Sequence, residues 1–124
     1  MTRIARVSDN LPKPAGPYSH IVEANGFVFT AGFGPQDPTT GEIPSGVAEQ
    51  TAGVLRNLEI ALSLAGLTLA DVVKTTVHLQ NLDDFAAFNE VYARSFTENF
   101  PVRTTVGSTL NGILVEIDAV AAMP

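Results

Sequence analysis

The sequence predicts a two-layer α+β domain over 1–124: a six-stranded mixed sheet with two helices packed on one face, in the order β-β-β-α-β-α-β-β. Three observations carry this. Apolar residues recur with helical period in two stretches, about 47–65 and 83–99. Around them stand short runs that alternate with a period of two. Two Asn-Gly pairs, Asn25-Gly26 and Asn111-Gly112, fall between such runs, where tight hairpins are expected.

RIARV reads as a short first strand. DNLPKPAGP follows with three prolines and makes a loop, since proline has no N–H for a ladder. SHIVEA and GFVFTAG form a hairpin about Asn25-Gly26, and FGPQDPTTGEIP is a turn-rich loop. The first helix presents Val47, Thr51, Val54, Leu55, Leu58, Ala61, Leu62 and Ala65 on one stripe. Ser45 is its expected N-cap, Glu49 favours its dipole, and Gly66 is its expected stop.

DVVKTTVHLQ is the strongest strand. Val73, Thr75, Val77 and Leu79 share one side, and Val72, Lys74, Thr76, His78 and Gln80 the other. The second helix is expected from Asp83 to Asn99, capped by Asp83 or Asp84, with Phe85, Phe88, Val91, Tyr92 and Phe96 inward. PVRTTVGSTL and ILVEIDAVAA close the fold as a hairpin about Asn111-Gly112. In the last strand Ile113, Val115, Ile117, Ala119 and Ala121 face the core, and Leu114, Glu116, Asp118 and Val120 the uncovered side. That mixed second face suits either a solvated sheet or an oligomer interface.

The net charge of −6 argues against nucleic acid as the main partner, because phosphate binding needs a positive surface. With no cysteine there is no disulfide, thiol nucleophile or Cys-based metal site, and two scattered histidines make no metal centre. No stretch approaches a membrane span and none reads as a signal core, so the expected location is the cytoplasm.

Arg103 stands out inside PVRTTV, a permanent charge in a strand. A guanidinium there wants a bidentate anion. That anion is either Glu116 or Asp118 on the expected hairpin partner, or the carboxylate of a ligand; residue types alone leave both open.

The order and spacing of GPYSH (16–20), FVFTAG (27–32), DPTTGEIP (37–44), LSLAGLTLADVVKTTVHL (62–79), LDDFAAFNEVYARSF (82–96), PVRTTV (101–106) and VEIDAVA (115–121) resemble the RidA/YjgF family nearly end to end. The resemblance implies a chorismate-mutase-like fold and a homotrimer with sites in the clefts between subunits. It also implies a hydrolase without metal or cofactor that converts 2-iminopropanoate and 2-iminobutanoate to 2-keto acids and ammonia. By the same resemblance Arg103 holds the substrate carboxylate and Glu116 positions or activates water. Tyr18, Gly32 and Asn89 line the cleft. This chain departs from the family pattern at Ala31 and Phe33, which flank Gly32, at Thr105, and in a connection between Arg103 and Glu116 about two residues shorter. Ala31 and Phe33 make the pocket more apolar, the Thr105 hydroxyl can still hold water, the shorter connection removes cleft wall, and two alternatives stay open. One is a protein that binds 2-keto acids without turnover; the other is a related hydrolase of a different imine or amide.

Overall fold

The computed structural model describes residues 2–97 and 99–124. Six strands, β1 (Ile4–Arg6), β2 (Ile21–Ala24), β3 (Phe27–Thr30), β4 (Val72–Leu79), β5 (Val102–Gly107) and β6 (Val115–Ala122), form one sheet in the spatial order β1-β2-β3-β6-β4-β5. Two helices, α1 (Val47–Ser63) and α2 (Phe85–Ser95), supply the second layer. The expected element order and two-layer architecture are present.

β2 and β3 form the expected hairpin, with Asn25 and Gly26 both at positive φ (53° and 80°), the geometry a two-residue turn demands. β6 is the central strand. It pairs antiparallel with β3 on one side and β4 on the other, and its residues alternate between buried and half-buried throughout. β4 and β5 pair in parallel, joined by α2.

The second expected hairpin is not formed. β5 and β6 run in opposite senses, but β4 lies between them. Asn111-Gly112, with Gly112 at φ 79°, reverses the chain without making its two strands neighbours. The physical reason lies in β6: a row as apolar as Val115, Ile117, Ala119 and Ala121 is best buried in the sheet centre. β5, with exposed Val102 and Val106, takes the edge.

Val72, Thr75, Val77 and Leu79 of β4 are buried, but Val73 is not. A bulge between Val72 and Lys74 shifts the register by one and turns Val73 outward, against the expected alternation. Lys74, Thr76 and His78 lie opposite Val120, Asp118 and Glu116, on the face the helices leave open.

α1 buries Thr51, Val54, Leu55, Leu58, Ala61 and Leu62 as its stripe predicts. Its N-cap is Gly46 rather than Ser45, with no side-chain cap bond; Gly46 has φ 84°, out of reach of most side-chain-bearing residues. Gly66, at φ 74°, ends the turn after the helix as expected. The stripe also hides two polar residues that periodicity did not single out. Gln50 donates to Pro44 O and accepts from Leu114 N, while Asn57 donates to Gly34 O and Gln36 O. These bonds pin the 33–44 loop and the start of β6 to the helix.

α2 is shorter than expected. Residues 82–84 form a 3₁₀ turn capped by Asn81, whose side-chain oxygen accepts from Asp83 N; Asp84 is the N-cap residue of α2 as expected, but its side chain makes no cap bond. The helix stops at Ser95, so Phe96 to Asn99 are not helical where described; Glu98 lies outside the described residues. Phe88, Tyr92 and Phe96 are buried and Val91 is partly so, while Phe85 is 44% exposed.

Candidate functional site

The sequence-predicted site residues separate into two groups, on opposite faces of the sheet. In the parallel ladder Arg103 is level with Thr75 and Thr105 with Val77. Thr75 and Val77 are core residues, so Arg103 and Thr105 face the helix side. Glu116 is level with His78 and faces the open side.

On the helix side, Arg103 lies under α2. Asn89, Tyr92, Ala93, Phe100, Pro101 and Arg103 line a surface cavity of about 320 Å³. The Arg103 guanidinium carbon is 5.6, 5.4 and 4.9 Å from the ring centres of Phe85, Phe88 and Tyr92. The ion pairs among the described residues are Arg6–Glu23 and Arg94–Glu90, and Arg103 joins neither. The internal pair with Glu116 or Asp118 left open by the sequence is therefore not made; both carboxylates are on the far face. Beside Arg103, the Asn89 side-chain oxygen is buried with no hydrogen-bond partner among the described residues. Burial raises the Tyr92 pKa, opposed by its hydrogen bond to Thr75 and by the charge of Arg103, so the phenol is neutral.

On the other side, Tyr18, Gly32 and Glu116 come together. They line a cavity of about 460 Å³ with Ile21, Val22, Phe29 and Ala31, and reach a second one of about 410 Å³ walled by the 33–44 loop. The segment 31–33 is fixed by its backbone. Ala31 N donates to His20 O, and Phe33 and Ile117 exchange N–H···O bonds of 2.9 and 3.1 Å. Gly32 is held between them. A Cβ at position 32 would lie 2.9 Å from Glu116 Oε2, so the carboxylate rests directly on the glycine. Tyr18 Oη accepts from Ala15 N at 3.0 Å, which leaves its O–H proton free to donate. Phe33 is buried in the core cluster, its ring 5.7 Å from that of His20, and its edge reaches the second cavity.

His20 is fully satisfied. Nδ1 accepts from Ser8 N and Nε2 donates to Pro12 O, which fixes the neutral tautomer and a structural role. His78 Nδ1 bonds Ser108 Oγ at 2.8 Å. Among the described residues no three His, Asp or Glu side chains gather as a metal site. Among the described residues no helix is long and apolar enough to cross a membrane.

The rings about Arg103 escaped the sequence reading as part of the site. Their spacing, 85, 88 and 92, marks one side of a helix, which by itself indicates ordinary core. Only the ladder between β4 and β5 reveals that this side lies over the guanidinium.

Comparison with known proteins agrees with this arrangement of elements. The family model described as endoribonuclease L-PSP matches residues 8–123. A RutC family protein of Pyrococcus horikoshii is 46% identical over 117 residues, covering 92% of this chain and 93% of its own. An Escherichia coli protein named 2-iminobutanoate/2-iminopropanoate deaminase is 38% identical over 119 residues, covering 92% and 93%. The crystal structure of Escherichia coli TdcF with bound serine superposes with a TM-score of 0.90 at 33% identity, over 98% of this chain and 99% of that one. The chain belongs to the endoribonuclease L-PSP family, the YjgF/RidA family.

Proposed function

We propose that this protein is a deaminase that hydrolyses 2-iminopropanoate, 2-iminobutanoate and similar 2-imino acids to 2-keto acids and ammonia. It works as a homotrimer, in clefts where the Arg103 side of one subunit meets the Glu116 side of the next. The observation that carries this reading is the division of the candidate residues. Arg103, Asn89 and Thr105 face one way, and Tyr18, Gly32 and Glu116 the other. Neither group is a site alone. Two different patches that complete one another call for a head-to-tail contact, and such contacts close into rings. The open sheet face supports assembly too: Phe27, Phe29, Val102 and Val106 are exposed beside its polar row.

The chemistry follows from the groups. Arg103, unpaired by its own chain among the described residues, grips the substrate carboxylate through parallel N–H···O bonds. The orphaned Asn89 oxygen beside it is the kind of polar defect kept at ligand sites. The protonated imine carbon is already electrophilic. Glu116, resting on Gly32, orients a water and takes its proton as the C–O bond forms. Glu116 returns that proton to the carbinolamine nitrogen; the C–N bond then breaks to release ammonia as the hydroxyl proton passes to the Glu116 carboxylate and the ketone forms. Arg103 and Glu116 supply orientation and a proton acceptor. The name of the Escherichia coli relative supports the same substrates. Serine bound in TdcF is an amino acid with the matching carboxylate.

A second reading has one observation in its favour. Ala31, Ile21, Val22 and Phe29 give the Glu116 cavity an apolar wall, which suits holding a 2-keto acid without turnover. The family description names an endoribonuclease, but a chain of net charge −6 gives a phosphate backbone little to bind. The test generates 2-iminopropanoate with an amino-acid oxidase and follows its decay. Accelerated formation of pyruvate supports the deaminase; tight binding of pyruvate without acceleration supports the binding protein.

A further inference from the structure

We propose that Phe85, Phe88 and Tyr92 are the positioning residues of the Arg103 seat, holding the guanidinium by their ring faces so that its donors stay free for an incoming acid. This rests on the reading of Arg103 as the carboxylate anchor. Three rings stand within 5.6 Å of one guanidinium carbon, inside the range of cation–π attraction. A half-buried arginine is usually held by a carboxylate. Here a carboxylate would occupy the same N–H fork that the substrate needs. A ring face attracts the charge and accepts none of the in-plane hydrogen bonds.

Two details separate this from ordinary packing. Phe88 is fully buried and Tyr92 nearly so, but Phe85 is 44% exposed and adds little to the core. Its placement over Arg103 is what gives an exposed ring a role. Tyr92 carries the one hydroxyl in the cage, and that hydroxyl is bonded to Thr75 Oγ1 at 2.8 Å. Thr75 is level with Arg103 in the ladder, so the bond fixes the ring to β4, the strand beside the one that carries the arginine. It also keeps the phenol oxygen from competing for the guanidinium.

The experiment compares Phe85→Leu and Phe85→Tyr with the unaltered protein, using the exposed member of the cage to spare the fold. Three quantities are read: the Arg103 Nε–Hε NMR resonance, the Kd for 2-oxobutanoate, and KM and kcat on 2-iminobutanoate. Ring faces displace the resonance from its random-coil position. Phe85→Leu moves it back toward that position and raises Kd and KM about 2- to 5-fold with kcat nearly unchanged, since it loosens binding rather than chemistry. Phe85→Tyr restores all three. A resonance and Kd unmoved by Phe85→Leu overturn the proposal, as does failure of the unaltered protein to bind 2-oxobutanoate. A ring-shifted resonance and keto-acid binding that respond to Phe85, in a protein that does not hydrolyse the imine, uphold the cage and sink the deaminase reading alone.

Discussion

The two faces of the sheet hold their candidate groups by different means. Under α2, the cation Arg103 sits among aromatic rings and lies level with a buried threonine. On the open side, the anion Glu116 rests against a bare glycine backbone, on a segment pinned by main-chain hydrogen bonds. One seat depends on side chains packed by a helix, the other on a backbone that leaves room. Neither charge is neutralised by the chain's own partners among the described residues. The difference teaches that the sheet holds two unpaired charges on opposite faces by different means, as the proposed head-to-tail site requires.

Substitutions at each seat test that division. Glu116→Gln removes the proton acceptor and lowers kcat on 2-iminopropanoate about 10²- to 10⁴-fold, read by the oxidase-coupled assay. Arg103→Ala removes a charge-assisted contact of about 2–3 kcal/mol, a loss of about 30- to 150-fold in kcat/KM. Its melting temperature falls by only a few degrees, since the contacts with three rings are lost but no carboxylate is left unpaired. Gly32→Ala sits between these seats and the fold. The new methyl group meets the tip of a flexible side chain, so Glu116 swings aside and the fold stands. Activity falls about 10-fold or more from the misplaced carboxylate, while far-UV circular dichroism is unchanged. Unchanged activity in Gly32→Ala would mean that the resting place of Glu116 has no bearing on the reaction.

The smallest expected effect comes from Asp118, on the same face as Glu116. Burial raises its pKa, offset in part by His78 and Lys74. A carboxyl whose folded pKa is raised binds its proton more tightly in the folded chain. Stability therefore falls as pH rises from the unfolded value of about 3.9 through the raised folded value. Asp118→Asn removes this slope. Thermal melts at acid and neutral pH should show the variant gaining on the unaltered protein as pH rises, and an opposite trend would contradict the assignment.

Much of this fold was legible in the sequence because local signals and burial agree there. Asn25-Gly26 makes its hairpin, the α1 stripe is the core, and β6 alternates as read. The departures share one cause, which is that tertiary pairing is not written in local chemistry. Asn111-Gly112 reports a reversal and cannot say that β4 slips between the reversed strands. A one-residue bulge sends Val73 to the wrong side of a regular alternation. Ser45 loses its cap to the backbone of Gly46. Arg103 and Glu116 were singled out by residue type and by family resemblance. Their faces, and the rings over Arg103, follow only from the ladder register. Local signals place the two residues on neighbouring hairpin strands; the structure sets them on opposite sides of the sheet.

Mixing two impaired variants tests the central claim most directly. Arg103→Ala and Glu116→Gln, each with a few per cent of the activity or less alone, are refolded together so that subunits exchange at random. If each site takes Arg103 from one subunit and Glu116 from the next, about a quarter of the clefts in a closed ring regain both groups, and activity returns to about a quarter of the unaltered level. Mixed oligomers confirmed by native mass spectrometry that remain as impaired as the separate variants would contradict it.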